Sequence, residues 1–457
     1  MNPIDRSAGS RREFLKNSGK VAAATALAGA IVPRVHAAED NTIQLALIGC
    51  GGRGTGAAGD ALSVKNGPIK LVAMADVFDN KMKGSHETLK NKFGERGDVP
   101  DDHRFLGFDA YKNAMDCLKP GDIAIFATPL AFRWVHFTYA IEKGLNVFME
   151  KPLTADGPTS RKMFKLAEDA AAKNLKVGVG LMSRHSRAMQ QLADRIHGGE
   201  IGEIILMRGY RMDGPVGSMR SLPKPPGQSE VEFQIRRFHS FLWASGGCFS
   251  DFNIHIIDHS CWMKNAWPVQ AQAVGGRHYR GDYIDQNFDI YGVEYTFADN
   301  TRMMMDGRCI DGCSDIYNSF AHGTKGTAMI SHNNDVGTPS ATYKGLGSSQ
   351  ADLIWESKDQ TSPYQNEWDD LVEAVRENKP YNEVKRGVEA SLVTSMGRMA
   401  AHTGRIVTYD QILNSKHEFA PLVDKLTMDG PAPVMPGANG KYPVPQPGIV
   451  TDQEYRV

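Results

Sequence analysis

The stretch from Ile43 to Gly54 restricts the fold more than any other part of the chain. An apolar run, Ile43 to Ile48, leads directly into Gly49-Cys50-Gly51-Gly52-Arg53-Gly54, and a helical pattern follows. Glycines in loops are common, so the G-x-G-x-x-G spacing alone is a weak signal; set between a strand and a helix it has a mechanism. The first glycine permits a tight turn, the second lets the backbone approach a pyrophosphate at the helix N-terminus, and the third lets helix and strand pack closely. Asp76 ends the next apolar run, at the roughly 20-residue distance where a carboxylate accepts hydrogen bonds from adenosine ribose hydroxyls. The same carboxylate would repel a 2′-phosphate, and Val77 and Phe78 follow it with no arginine. NAD is therefore expected in preference to NADP, with Arg53 and Lys81 as the residues that argue the other way. A glycine-rich turn that holds no ligand is the competing reading.

Further along, Ile69 to Ala75, Ile123 to Ala127 and Asn146 to Met149 are nearly continuous apolar runs, as in parallel strands buried on both faces. Helical spacing separates them, as in Trp134, Phe137, Ala140 and Ile141, so the first half reads as an α/β, doubly wound parallel sheet. Asp156 to Lys173 carries an apolar helical face, and Lys176 to Leu181 closes this domain as one more strand. The second half is different. Ile204 to Arg211, Val269 to Gly275, Asp289 to Phe297 and Thr301 to Arg308 alternate more, as in a sheet with one covered face. Trp368 to Glu377 and Val388 to Thr403 read as helices that close this second domain, and Ser221 to Gln228 as an inserted loop. The expected division is a signal over residues 1–37, a nucleotide-binding domain over 38–181, a second α/β domain over 182–410, and a Pro- and Gly-rich arm over 411–457 lying on a surface.

The first segment has a pattern of its own. Ser10-Arg11-Arg12-Glu13-Phe14-Leu15-Lys16 precedes an uncharged, Ala-rich stretch from Val21 to Val32, and Val35-His36-Ala37 supplies small residues for cleavage. This order resembles a twin-arginine (Tat) export signal, which implies the Tat machinery as a partner and a periplasmic or otherwise exported location. An N-terminal helix of the mature fold is the other reading. The apolar stretch is shorter than the about 20 residues of a membrane span, and no Cys follows the expected cleavage point, so no stable membrane anchor is expected. Lys and Arg total 52 against 53 acids, a net charge of -1, which gives no electrostatic case for nucleic acid. The 6 cysteines form no C-x-x-C pair and no zinc-ligand spacing, so no metal is expected, and Cys309 and Cys313 read as buried small hydrophobes more readily than as a bridge.

Two segments suggest chemistry. Glu150-Lys151-Pro152 follows the run Asn146 to Met149, at the carboxyl end of a strand, where open α/β sheets bind ligands. A lysine there can donate a hydrogen bond to an alcohol oxygen as it becomes alkoxide-like. In isolation, a surface lysine before a turn proline is the simpler reading. Asp251, His255 and Asp258 form D-x-x-x-H-x-x-D, whose steps put all three on one helix face, with Ile254, Ile257 and Trp262 available to cover the other. A histidine titrating near neutrality can take an alcohol proton, and a neighbouring carboxylate can orient it. The same residues also read as a buried structural histidine or as metal ligands.

Four segments together resemble the Gfo/Idh/MocA family, which includes glucose-fructose oxidoreductase and inositol dehydrogenase. They are the glycine loop, Thr128-Pro129 followed by His136, Lys143 to Pro152, and Gly246-Gly247 leading into Asp251, His255 and Asp258. The resemblance runs from about Thr42 to about Arg405. It implies an N-terminal Rossmann domain, a C-terminal α/β domain with a large open, mostly antiparallel sheet, and a homo-oligomer. By motif position it implies Lys151, Asp251 and His255 as catalytic residues: His255 accepts the hydroxyl proton, Lys151 stabilises the alkoxide, and Asp251 orients His255 and substrate. Gly49, Cys50, Gly51, Gly52, Arg53, Gly54, Asp76, Thr128, Pro129, His136, Glu150 and Lys151 are then the expected cofactor contacts. Lys151, Arg184, Asp251 and His255 are the expected substrate contacts. The loop from Met212 to Arg237, rich in Pro, Lys and Arg, and the tail beyond Arg405 depart from the family pattern and bear on the substrate.

The expected activity is that of an exported NAD(P)-dependent oxidoreductase acting on a sugar, polyol or glycoside hydroxyl. Its cofactor is expected to be tightly held, because no free nucleotide pool exists outside the cytoplasm. One alternative is a glycoside-cleaving enzyme that oxidises a hydroxyl transiently before elimination; another is a carbohydrate-binding protein with a vestigial site.

Overall fold

Five short apolar runs become parallel strands covered by helices, and a sixth strand, the half-exposed Arg104–Leu106 that the sequence reading did not foresee, pairs at the edge. They are β1 (Ile43–Ile48), β2 (Ile69–Asp76), β3 (Arg104–Leu106), β4 (Ile123–Phe126), β5 (Asn146–Met149) and β6 (Val177–Val179), paired in the order β3-β2-β1-β4-β5-β6. The computed structural model describes residues 41–278, 280–333 and 339–456; the expected export signal over residues 1–37 lies outside them. Strand order reverses between β1 and β4, and at such a switch point a crevice opens beyond the carboxyl ends of the strands. The glycine loop, Asp76, Thr128 and Lys151 all stand at those ends.

Side chains alternate across this sheet. Leu45, Leu71 and Phe148 face one apolar cluster, Ala46, Ala73 and Val147 the other. The second face is covered by the helices Arg133–Lys143 and Gly157–Ala172, the latter capped by Asp156, whose side chain accepts from Thr159 N–H at 2.8 Å. The first face holds a correction. The sequence reading set the helix around Trp368 in the second domain, but Trp368, Leu371 and Val372 of the helix Pro363–Arg376 pack with Leu45, Leu71 and Phe148. Trp368 stacks on Phe148 with ring centroids 4.5 Å apart. An apolar stripe announces that a helix buries a face; it does not say against which sheet.

The second sheet has nine strands in the order β14-β13-β12-β11-β7-β10-β9-β8-β15. Alternation foretold β7 (Ile204–Asp213), β8 (Gln270–Gly276), β9 (Ile290–Thr296) and β10 (Arg302–Cys309). It did not foretell β11 (Ile316–Gly323), β12 (Gly326–His332), β13 (Ala341–Lys344), β14 (Leu353–Glu356) or β15 (Val407–Thr408). Five to eight residues with weak alternation, or pieces of two to four, carry little periodic signal. All pairings here are antiparallel except β7 with β10.

The helix Gly247–Lys264 is wedged between the two layers. Phe249, Ile256 and Ile257 pack on the second sheet, while Ile254 joins the cluster beneath the first. Its polar residues Asp251, His255 and Asp258 are buried too, so both faces of the helix lie inside the protein.

Two further expectations are overturned. The arm does not merely cover a surface, for its end enters the core. Glu454 takes two hydrogen bonds from Arg398, at 2.8 and 2.7 Å, and meets His402 Nδ1 at 2.7 Å. Arg398, His402 and Tyr455 are fully buried. A buried guanidinium needs a carboxylate partner, and the tail brings one. Cys309 and Cys313 are not buried together: Cys313 is exposed, and Cys309 lies with its sulfur 2.7 Å from that of Cys248. No helix among the described residues is long and apolar enough to cross a membrane.

Candidate active site

The glycine loop is shaped by contact at its ends and left open in its middle. Gly49 has φ +96°, and a Cβ there would lie 2.7 Å from the Ala127 carbonyl carbon. A Cβ on Gly54 would fall on the Gly49 carbonyl oxygen. At Gly51 and Gly52 a Cβ would meet nothing within 4 Å. The middle glycines are therefore not demanded by protein packing; they leave backbone N–H groups bare toward a crevice. The helix Gly52–Ser63 begins there with no side-chain cap and no acid in its first turn, which leaves its N-terminus available to a phosphate.

The crevice is a cavity of about 530 Å³, lined by Gly49, Gly51, Gly52, Asp76, Thr128, Pro129 and His136 among others. Its size lies within the usual range for cofactor sites. Seven residues expected from sequence thus share one wall, and the open glycines satisfy the demand a dinucleotide would make. Substituting Gly54 with alanine is expected to lower stability by roughly 1–3 kcal/mol through overpacking and to weaken nucleotide binding. Thermal melts with and without NAD would show it; an unchanged nucleotide-induced shift would count against the loop.

Asp76 is oriented by its neighbours: Cys50 N–H donates to Oδ2 at 2.7 Å and Phe78 N–H to Oδ1 at 2.8 Å. Burial raises its carboxyl above the ordinary value despite those bonds. His136 stacks on Phe132 and has Nδ1 3.4 Å from the Thr128 hydroxyl. Burial, then the charge of Arg133, push its pKa down to about 3, so the imidazole is a neutral hydrogen-bonding group on the cavity wall.

Cys50, Arg53, Gly54, Glu150 and Lys151 were expected as cofactor contacts but do not line the cavity. Arg53 donates to Glu150 at 2.6 Å and lies 3.7 and 3.9 Å from Asp60 and Glu367. The pair ties the glycine-loop helix to the end of β5. Arg53, one of the two residues favouring a 2′-phosphate, is thereby engaged by carboxylates, whereas Lys81 does line the cavity.

The two halves of the chain meet at Lys151. Its ammonium donates to the Asp251 carbonyl at 2.6 Å and lies 3.4 Å from the Asp251 carboxylate. The other carboxylate oxygen is 3.5 Å from His239 Nε2. Burial by itself would raise the Asp251 carboxyl; the Lys151 ammonium and His239 outweigh it and hold the group well below the usual carboxylate range. Asp251 is thus an anion fixed between two donors. His255 stands one helical turn further on, also buried, and an i, i+4 step sets its Cβ about 5–6 Å from that of Asp251.

His239 was missed. It lies in the 3-10 turn Phe238–Ser240 after the short helix Glu230–Arg236, without motif or periodicity to single it out. Ser218 N–H donates to its Nδ1 at 3.2 Å, which places the ring proton of the neutral form on Nε2, facing Asp251. Arg184 requires a correction. It forms a forked pair with Asp258 at 2.9 and 2.7 Å, and Asp258 is fully buried. Its guanidinium braces the helix Gly247–Lys264 and is spent there, so it does not offer the substrate contact expected of it. Among the described residues, no three His, Cys, Asp or Glu side chains are gathered to hold a metal ion.

A Rossmann-type parallel sheet, an open and mostly antiparallel sheet, and a strand-end lysine facing an acid on a buried helix define a two-domain class of fold. Particular proteins share it. No family model matches the chain. It is 25% identical over 252 residues to scyllo-inositol 2-dehydrogenase (NAD(+)) of Bacillus subtilis (strain 168), a match covering 55% of this chain and 62% of that protein's length. The solved structure of myo-inositol 2-dehydrogenase from Lactobacillus plantarum is similar with a TM-score of 0.59 at 22% identity, covering 80% of this chain and 99% of that one. Scyllo-inositol dehydrogenase from Lactobacillus casei, with bound NAD(H) and scyllo-inositol, gives 0.59 at 20% identity, covering 81% and 99%. The chain has the fold of these dehydrogenases, as the expected fold class required.

Proposed function

We propose that this protein is an NAD-dependent oxidoreductase that removes hydride from a secondary alcohol of a cyclic polyol or sugar. The observation that carries the reading is the approach of Lys151, at the end of β5, to Asp251 on the buried helix, at the same strand ends that open on the nucleotide crevice. The relative named for NAD(+) and the similar structure holding NAD(H) and scyllo-inositol support both cofactor and substrate class.

The backbone N–H groups of Gly51 and Gly52 would hold the pyrophosphate, and Asp76 the adenosine ribose. A bound nicotinamide supplies a hydride acceptor. Lys151 donates a hydrogen bond to the substrate oxygen and stabilises the negative charge that develops on it. His255 takes the hydroxyl proton, and Asp251, kept ionised by Lys151 and His239, orients both imidazole and substrate.

The same reading takes residues 1–37 as a twin-arginine signal and the location as periplasmic or otherwise exported, supported by Arg11-Arg12 and the apolar stretch after them. It takes the second sheet as the surface of a homo-oligomer, supported by Val274, Ile290 and Met304, which lie exposed on its uncovered face.

The test is to incubate residues 38–457 with NAD or NADP and a panel of polyols, sugars and aryl glycosides, following reduced nicotinamide and aglycone together. Reduction of NAD by a cyclic polyol or sugar without aglycone release is expected. Aglycone release with no net reduction would replace the proposal by glycoside cleavage; neither signal would remove the enzyme.

A further inference from the structure

The segment from Met212 to Arg237, expected as one loop, begins at the end of the strand Ile204–Asp213 and closes with the helix Glu230–Arg236. It and the tail have no part in the chemistry above, and the structure joins them over the nucleotide crevice. Ile235, Arg236, Arg237 and Phe238, all from the C-terminal half, line that cavity together with the glycine loop. The Arg236 guanidinium lies 3.8 Å from the centre of the Phe78 ring, two residues past Asp76, which puts it at the adenosine end. Its Nε–H donates to Glu232 at 2.8 Å. A stacked arginine keeps its charge, and the other N–H groups of its fork are of a kind suited to phosphate or to the face of a base.

The segment is fastened from behind. Gln234 is fully buried; its side chain accepts from Trp243 Nε1–H at 2.8 Å and donates to the Val434 carbonyl of the tail at 2.7 Å. The Ser229 hydroxyl donates to the Met428 carbonyl at 2.6 Å, and the Tyr442 hydroxyl to Glu230 at 2.5 Å. Beneath these bonds, Phe78 and Phe132 of the nucleotide-binding half share one apolar cluster with Phe233, Ile235 and Val434. The roof of the crevice is therefore continuous with the core and tied to the end of the chain.

We infer that Arg236 is a dinucleotide contact contributed by the C-terminal half, and that the tail locks its segment so that bound dinucleotide remains with the protein as a resident group. This rests on the nucleotide reading of the crevice. An exported protein meets no pool from which to replace a lost cofactor, and a roof held by the tail keeps the one it has.

Radiolabelled NAD+ bound to residues 38–457 is chased with excess unlabelled NAD+, and retained label is followed over time. Release from the unsubstituted protein is expected to take hours, and Arg236→Ala and Gln234→Leu are expected to release at least about tenfold faster. Arg236 is partly exposed, so its replacement leaves the fold intact even if the buried Gln234→Leu change does not. Release from Arg236→Ala at the unsubstituted rate, or exchange within seconds by the unsubstituted protein, overturns the inference and leaves the nucleotide site standing. Failure of the unsubstituted protein to bind any label overturns both.

Discussion

Lys151→Ala is expected to lower kcat by a factor of about 10²–10³ while NAD remains bound, the loss typical of removing one donor to a developing oxyanion. Lys151 does not line the nucleotide crevice, so cofactor affinity and substrate turnover should separate cleanly. The substitution also takes from Asp251 its ammonium neighbour and leaves His239 as its remaining side-chain partner. The Asp251 carboxyl then rises toward its ordinary range, and the acid limb of the rate profile moves to higher pH with it. Lys151→Met, which keeps the stem and removes the charge, should behave as the alanine variant does. Equilibrium dialysis for NAD and initial rates across pH are the measurements. Turnover within about threefold of the original would take Lys151 out of the chemistry.

Glu454→Gln is expected to destabilise the fold by roughly 3–5 kcal/mol, because it strips a fully buried arginine of its counter-charge. Few single changes in a tail only four residues from the chain end would do this. Burial alone raises the Glu454 carboxyl; Arg398 and then His402 outweigh it and hold the group at about 2. In an unfolded chain a glutamate titrates near about 4.3. Its contribution is therefore complete above that value and is lost as pH falls through the folded value, so the unsubstituted protein should lose stability between about pH 4.3 and 2. Glu454→Gln should start lower and lose less over that window. Urea melts at pH 7 and at pH 3 give the comparison; equal midpoints for the two proteins at pH 7 would mean the tail is ornamental.

Much of the first sheet was legible because most of its strands, though not the edge strand Arg104–Leu106, are apolar runs, several of which end on a motif. Gly49, Asp76, Thr128 and Lys151 all come at strand ends, and strand ends are where a doubly wound sheet places its ligands. Lys151 and Asp251 were paired through a resemblance and not through spacing; residues 100 positions apart leave no periodic trace of their meeting. What sequence could not show has a common cause. His239, Arg236 and Glu454 act through partners far along the chain and sit in a 3-10 turn, at the end of a two-turn helix and in the tail, pieces too short for a period to mark a residue. Arg184 and Arg53 were misplaced for the converse reason. A charged residue near a site looks available until its partner, Asp258 or Glu150, is seen to claim it.

The return of the helix Pro363–Arg376 to the first sheet means that the nucleotide-binding half is unfinished when its last strand has been made. The helices Gly52–Ser63 and Asp79–Phe93 cover part of that face early, but Phe148 lacks Trp368, and the cluster lacks Leu371 and Val372, until the chain has been made through the second sheet. Assembly of the two halves is thus one event, governed by contacts of long sequence separation and correspondingly slow.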